Sequence, residues 1–456
     1  MEQNYPFTYE KKTVYEKAGK AVVDAAYAYA EPYKVFLDKC KTEREVVKEG
    51  VKIAKKAGYK PYTFGDKMKA GDKFYYVNRD KNLFLFKIGT ESINEGIRIT
   101  GAHIDSPRID LKQVPVYEDS GLCYFKTHYY GGIRKFQWLA MPLSLHGVVI
   151  KADGKKVELS IGEKADDPVL YITDILPHLD RTDKKASELA PGEKLNVVVG
   201  SKPLEDADKD AVKLGILKLL YETYGITEED FISAELSLVP AEKARDVGFD
   251  RSLISAYGHD DRCCAYPSLT AMIDADEKKH TTMCILVDKE EVGSDGVTGM
   301  QSNLFMDLVT EIAKALGGNE AVVRANSKCL SSDVTAIFDP DYPEVFEKRN
   351  SALLGCGVGL CKYTGARGKS GTSDASAELV GWVRRCLNEA GVVFQTSELG
   401  KVDIGGGGTI AKYMANRNID TLDLGVGVLS MHAPYELIAK VDLYEAYRAF
   451  RAFYNF

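Results

Sequence analysis

Residues 281–296 read TTMCILVDKEEVGSDG, a short apolar run that stops at two adjacent glutamates, Glu290 and Glu291, and passes into a glycine-punctuated turn. An apolar run bounded by turn residues is the pattern of a strand buried on both faces. Adjacent carboxylates at the end of such a strand repel one another unless a cation lies between or beside them. Their side chains diverge, so one can ligate a metal while the other faces a substrate water. A solvated acidic turn is the competing reading of the dipeptide by itself. Gly293 and Gly296 permit close backbone approach without deciding between the two.

Working outward, the same texture recurs on both sides. NLFLFKI (82–88) and IRITGAH (97–103) read as buried strands, and residues 12–57 read as helix, with Val22, Ala25, Ala26 and Tyr29 at helical spacing. Downstream, ISAYG, SKCLSS, GVGL, VVFQ and TLDLGVG are strand-like. Between them lie helical stretches such as NLFMDLVTEIAKALG, SDASAELVGWVRRCLNEAG and VDLYEAYRAFRAFY. This alternation predicts an α/β fold, a mostly parallel sheet covered by helices. Residues 112–235 break the pattern. GVVIKADGKKVELSIG is a hairpin signal with Asp153-Gly154 at its turn, LNVVVG is a short strand, and LEDADKDAVKLGILKLLYETYG reads as one amphipathic helix. The chain therefore divides into a discontinuous catalytic domain, 1–111 and 236–456, and an inserted β-rich domain, 112–235.

Composition narrows the function. The 456 residues, 45% hydrophobic and 28% charged, suit one large core with a smaller companion. A formal charge of −7 leaves no basic field to gather nucleic acid. MEQNYPFTYEKK has no apolar leader core, and no apolar run reaches the roughly 18 residues that span a bilayer. Nine scattered cysteines, an odd number without a Cys-x-x-Cys, point to reduced thiols and a cytoplasmic location. Any metal must then be held by carboxylates and some of the seven histidines.

Parallel sheets place ligands at the carboxyl ends of their strands. His103 and Asp105 in GAHIDSPR, Asp260 in SAYGHDDR, Glu290 and Glu291, Asp333 after SKCLSS, and His432 in LGVGVLSMHAPYE all fall at such ends. His103 and Asp105, two apart, point to one side of an extended chain, so Asp105 suits the carboxylate that orients a ligating imidazole. That pair alone reads equally as a strand-end histidine linked to its neighbour. Asp260-Asp261 alone reads as a solvated turn, an Asx turn or a ligand. Together they describe a two-metal centre in which Asp260 bridges, His103 and Asp333 complete one site, and Glu291 and His432 the other. Nitrogen and oxygen donors suit zinc, with manganese or cobalt as substitutes. Glu290 is then the general base that activates water for attack on a carbonyl. Gly405–Gly408 lack a Walker lysine and read as a loop lining a substrate cleft rather than a phosphate cradle.

GAHIDSPRIDLK, HDDR, DKEEVGSDG, SSDVTA and SMHAPYE, in that order, resemble the aspartyl aminopeptidase / aminopeptidase I family of co-catalytic metallopeptidases. The resemblance runs through nearly the whole chain. It implies a zinc-exopeptidase-like catalytic domain interrupted by a dimerisation domain, a dodecamer built from dimers, and release of single N-terminal residues, acidic or neutral, from peptides. It also implies that His103, Asp260, Glu291, Asp333 and His432 hold two divalent cations, that Asp105 stands behind His103, and that Glu290 is the base. His178 in LPHLDR is similar to a histidine that reaches into a neighbouring subunit's site. Lys362 in CKYTG resembles a lysine facing the substrate side chain in acid-preferring members. A cis bond at Asp260–Asp261 is a further expectation. The chain departs from many relatives after its YGG turn, where Ala140, Met141 and Pro142 replace polar residues. Two alternatives stand beside an exopeptidase: a two-metal N-acyl amino-acid deacylase or amidase, and a non-catalytic oligomeric scaffold.

Overall fold

The apolar run TTMCILV forms the strand Thr281–Val287, buried along its whole length. In the computed structural model, which describes residues 7–180, 184–276 and 278–456, it lies between Asn82–Lys87 and Ile97–His103 in a nine-stranded sheet. The sheet runs Lys60–Pro61, Lys73–Asn78, Asn82–Lys87, Thr281–Val287, Ile97–His103, Lys328–Ser331, Asp420–Gly425, Val358–Cys361 and Phe394–Thr396. The four central strands, Thr281–Val287 to Asp420–Gly425, are parallel to one another. The flanks are not. Asn82–Lys87 is antiparallel to both neighbours, and Val358–Cys361 is antiparallel to Asp420–Gly425. The sheet is therefore mixed, with a parallel centre. The hairpin of Lys73–Asn78 and Asn82–Lys87 turns through Arg79 and Asp80, both left-handed (φ 52° and 57°), the geometry that matches strand twist in tight hairpins.

Side chains alternate across the sheet as its pleat requires. Leu83, Leu85, Ala102, Cys284, Leu286, Leu330 and Leu422 face one core, shared with helices Lys20–Lys39, Glu43–Lys56, His259–Asp274, Ala377–Glu389 and Lys440–Asn455. Phe84, Phe86, Ile99, Met283, Ile285 and Cys329 face the other, against Leu304–Ala315, Glu320–Asn326 and Ala411–Ala415. Both faces are covered, which is why the strands read as continuous apolar runs.

A second sheet forms the rest. Arg108–Asp119, Leu122–Tyr130, Val197–Gly200, Leu170–Tyr171, Pro142–Ile150 and Ala234–Pro240 close into a six-strand barrel, because Ala234–Pro240 pairs with both Arg108–Asp119 and Pro142–Ile150. Lys156–Ile161 adds to the outside of Pro142–Ile150. The barrel has its own core, including Phe125, Trp138, Leu143 and Leu236. Its first and last strands reach Arg108 and Pro240, a few residues beyond the expected limits of 112 and 235. The expected helix over 204–225 is confined to Ala211–Tyr224; Asp206 and Asp210 adopt left-handed backbone before it (φ 63° and 53°), which a continuous helix does not allow.

One expectation is corrected. ISAYG forms the strand Leu253–Ala256, which belongs not to the parallel sheet but to a separate antiparallel sheet with Arg245–Val247 and Glu436–Ala439.

Candidate metal centre

His103 ends its strand fully buried, and the chain turns so that Asp105 lies behind it. His103 Nδ1 is 2.9 Å from the Asp105 carbonyl and 3.3 Å from its carboxylate. With the Nδ1 proton bonded there, Nε2 is free to point forward as a donor. It does so, 3.0 Å from Asp260 Oδ1 and 3.8 Å from Asp333 Oδ1. Asp260 and Asp261 depart from helical geometry at the start of His259–Asp274, and the bond between them is cis, as the resemblance implied.

His432 mirrors this arrangement. Its Nδ1 is 2.8 Å from the Gly132 carbonyl, and its Nε2 lies 3.2 Å from Asp260 Oδ2 and 3.6 Å from Glu291 Oε2. Each Asp260 oxygen thus faces a different histidine. Two donor groups result, His103–Asp260–Asp333 and Asp260–Glu291–His432, each with its ligand atoms within 4.8 Å of one another. Glu290 belongs to neither group and lines the adjoining cavity of about 380 Å³.

Electrostatics show a cluster short of positive charge. Burial, together with Asp260, raises Glu291 well above the usual carboxylate range, and burial with Glu290 does the same to Asp333. Glu290 is pushed up to about 7, mainly by burial. Burial disfavours charged imidazoles, yet Asp105 and Asp260 hold His103 well above its ordinary value, and Asp260 and Glu291 raise His432 to about 10. Glu291 Oε1 is buried without a hydrogen-bond partner. Divalent cations facing both Nε2 atoms and the carboxylates relieve all of these at once, so the donor set fits zinc.

Two carboxylates build the frame. Asp105 accepts the Tyr130 hydroxyl (2.7 Å) and the backbone N–H groups of Glu290 (3.1 Å) and Glu291 (3.2 Å). Glu436 accepts the N–H groups of Asp260 (3.0 Å) and His432 (2.8 Å). Glu436 and Tyr130 escaped the sequence reading. Glu436 stands within SMHAPYE, where an acid four residues after a candidate ligand is its one signal. Tyr130 has none.

The cavity wall includes Thr364, Ser397, Leu399, Thr409, Asp423 and Met431. Gly406–Gly408 also line it, and Gly406 (φ 145°) approaches so closely that a Cβ would sit 2.5 Å from the Gly365 carbonyl. That is the close approach expected of a cleft-lining loop. Two candidate residues lie apart. The Lys362 ammonium is bonded to Asp374 (2.6 Å), while its neighbour Cys361 lines the cavity. His178 occupies an exposed turn and does not line the cavity of its own chain.

Nitrogen and oxygen donors converging at strand ends beside a cleft, with a spare glutamate at hand, define a metallohydrolase. Residues 36–454 match the aminopeptidase I zinc metalloprotease (M18) family. A probable M18 family aminopeptidase 1 of Clostridium acetobutylicum is 50% identical over 98% of both chains. The crystal structure of an M18 aminopeptidase from Thermotoga maritima superposes with a TM-score of 0.94 at 45% identity, covering 98% of this chain and 100% of that one. The mApe1 dodecamer of S. cerevisiae shares the fold (TM-score 0.76, 22% identity, 94% and 96% covered). The chain belongs to the M18 family of zinc aminopeptidases.

Proposed function

We propose that this aminopeptidase holds two divalent cations, zinc by donor chemistry, one in each of the groups that share Asp260, and releases single N-terminal residues from peptides. Held by His103, Asp260, Asp333, Glu291 and His432, such cations would supply Lewis acidity to the scissile carbonyl and its attacking water. Glu290, outside both groups and open to the cavity, takes the proton from that water and delivers it to the departing amine. Asp105 and Glu436 hold the two histidines and Asp260 in place. The observation that carries the reading is the placing of one histidine on each Asp260 oxygen beside a free Glu290.

The cavity also speaks to the first residue of the substrate. Among the described residues that line it there is no lysine or arginine, Lys362 is engaged by Asp374, and Asp423 adds a buried carboxylate. A substrate side-chain carboxylate would meet no lysine or arginine on that wall. Neutral first residues are therefore preferred to acidic ones.

The reading extends to assembly and location. The barrel-bearing segment 112–235 serves dimerisation, and dimers build a dodecamer in which His178 reaches a neighbour's cavity to steady the developing oxyanion. Exposed Ile175, Leu176 and Leu179 around His178 support an interface there. Among the described residues no helix is long and apolar enough to cross a membrane, and all nine cysteines are free and buried, which supports a cytoplasmic location.

The test combines metal analysis with a panel of aminoacyl and N-acylated substrates. About two zinc equivalents per chain, and hydrolysis only with a free amine, are expected. Turnover of N-acyl amino acids would assign a deacylase instead, and one tightly held metal would remove the bridging role of Asp260.

A further inference from the structure

The barrel reaches the metal centre at the end of its second strand. Strand Leu122–Tyr130 ends at Tyr130, and Gly131 and Gly132 follow it. Tyr130 donates its hydroxyl to Asp105 Oδ2 at 2.7 Å, and the other oxygen of that carboxylate lies 3.3 Å from the outer nitrogen of His103, which also meets the Asp105 carbonyl at 2.9 Å. Two residues on, the Gly132 carbonyl takes the outer nitrogen of His432 at 2.8 Å. Gly131, at φ 73°, leaves so little room that a Cβ would lie 3.3 Å from Glu291 Oε2. One tripeptide at the end of a barrel strand therefore touches Asp105, which stands behind His103, and His432 itself, and passes close to Glu291.

The tripeptide is held rigidly. The Arg108 guanidinium lies 4.0 Å from the centroid of the Tyr130 ring and the Lys289 ammonium 5.5 Å from it. Arg108 is anchored by Asp110 (2.8 Å) and by Glu43 of the catalytic domain's helix Glu43–Lys56 (3.4 Å). A cation on an aromatic face is held by the ring's quadrupole, which keeps the hydroxyl aimed at Asp105.

We infer that Tyr130, Gly131 and Gly132 form a positioning element through which the barrel sets the metal affinity of the centre: the Tyr130 hydroxyl acts through Asp105 on His103, and the Gly132 carbonyl acts directly on His432. The inference rests on the reading that the two groups sharing Asp260 bind zinc. Gly132 also lines the cavity, but the role assigned to the three residues runs through the ligands. They determine how well two imidazoles, brought from opposite ends of the chain, aim at one pair of cations.

Full-length Tyr130→Phe and Gly132→Ala, with Tyr129→Phe as control, test it. Gly132 has no positive φ, so its added methyl acts on His432 Nδ1, 3.3 Å from the new Cβ, and not on the backbone. Zinc affinity, measured by competition with a chromophoric chelator, is expected to fall about 10–100-fold in both variants, the scale for groups that orient metal ligands. The visible bands of the cobalt(II)-substituted protein should shift in both, and Tyr129→Phe should match wild type. Wild-type affinity and spectrum in both variants would overturn the inference while leaving the two-metal reading intact. A wild-type chain that binds no zinc would overturn both. If Tyr130→Phe fails to fold, Gly132→Ala decides alone.

Discussion

His146 Nδ1 lies 2.8 Å from Glu45 Oε1, joining the barrel strand Pro142–Ile150 to the helix Glu43–Lys56 that packs on the nine-stranded sheet. The other ring nitrogen meets Glu163 (3.0 Å) and Ser144 (3.1 Å). Glu45 uses its second oxygen to accept the Thr42 N–H, so one carboxylate both caps the helix and pins the barrel.

This bridge predicts a pH-dependent stability. Burial opposes a charged ring, but Glu163 and Glu45 prevail and raise His146 to about 9. Burial opposes a charged Glu163, but His146 and Lys41 hold its carboxyl below the usual range, and Lys243 lies 3.8 Å from its other oxygen. Because the folded value exceeds the ordinary imidazole value of about 6.5, the contribution is complete below pH 6.5 and is lost as pH rises through 9. His146→Gln should cost about 3 kcal/mol near pH 6, the scale for breaking a buried ion pair, and much less at pH 10. Urea unfolding at both values checks this; equal deficits would show that the ring acts by packing alone.

Glu290→Gln should leave zinc content near normal and cut turnover by about 10²–10⁴. Metal analysis beside steady-state kinetics measures both. Loss of metal in this variant would exchange the roles given to Glu290 and Glu291.

Glu436→Ala leaves the N–H groups of Asp260 and His432 without their acceptor. Each orphaned buried donor costs about 1–3 kcal/mol. A lowered melting temperature and weaker zinc retention should appear together. A variant as stable as wild type would show that water replaces the carboxylate.

His178→Phe should impair turnover while the chain folds and binds zinc normally. In the proposed assembly a neighbour would supply the residue, so the defect should appear in the assembled oligomer. Unchanged kinetics would remove His178 from the chemistry.

The parts of the centre visible in the sequence are those whose signal is local. Glu290 and Glu291 close an apolar run, and His103 ends another, so strand and ligand could be read together. Asp260 was located by its motif, although its strand lies in a different sheet from the one expected. The antiparallel hairpin at Lys73–Lys87 stayed hidden because Arg79 and Asp80 adopt left-handed backbone without the usual glycine. Tyr130 and Glu436 stayed hidden for another reason. Tyr130 acts on Asp105 from a separate β-unit, and Glu436 on Asp260 across 176 residues, contacts that no spacing rule within one segment reveals.

The margins of the sheets bear on how copies can meet. Lys60–Pro61 and Phe394–Thr396 bound the larger sheet with only two and three residues. The one strand outside the barrel's closure, Lys156–Ile161, carries Lys156 and Glu158, engaged by Asp80 (2.9 Å) and by Lys48. Such truncated or charged borders offer a foreign strand little to zip onto. Contact between copies is thereby left to surfaces rather than strand edges, which disfavours open-ended ribbon growth even when crowded.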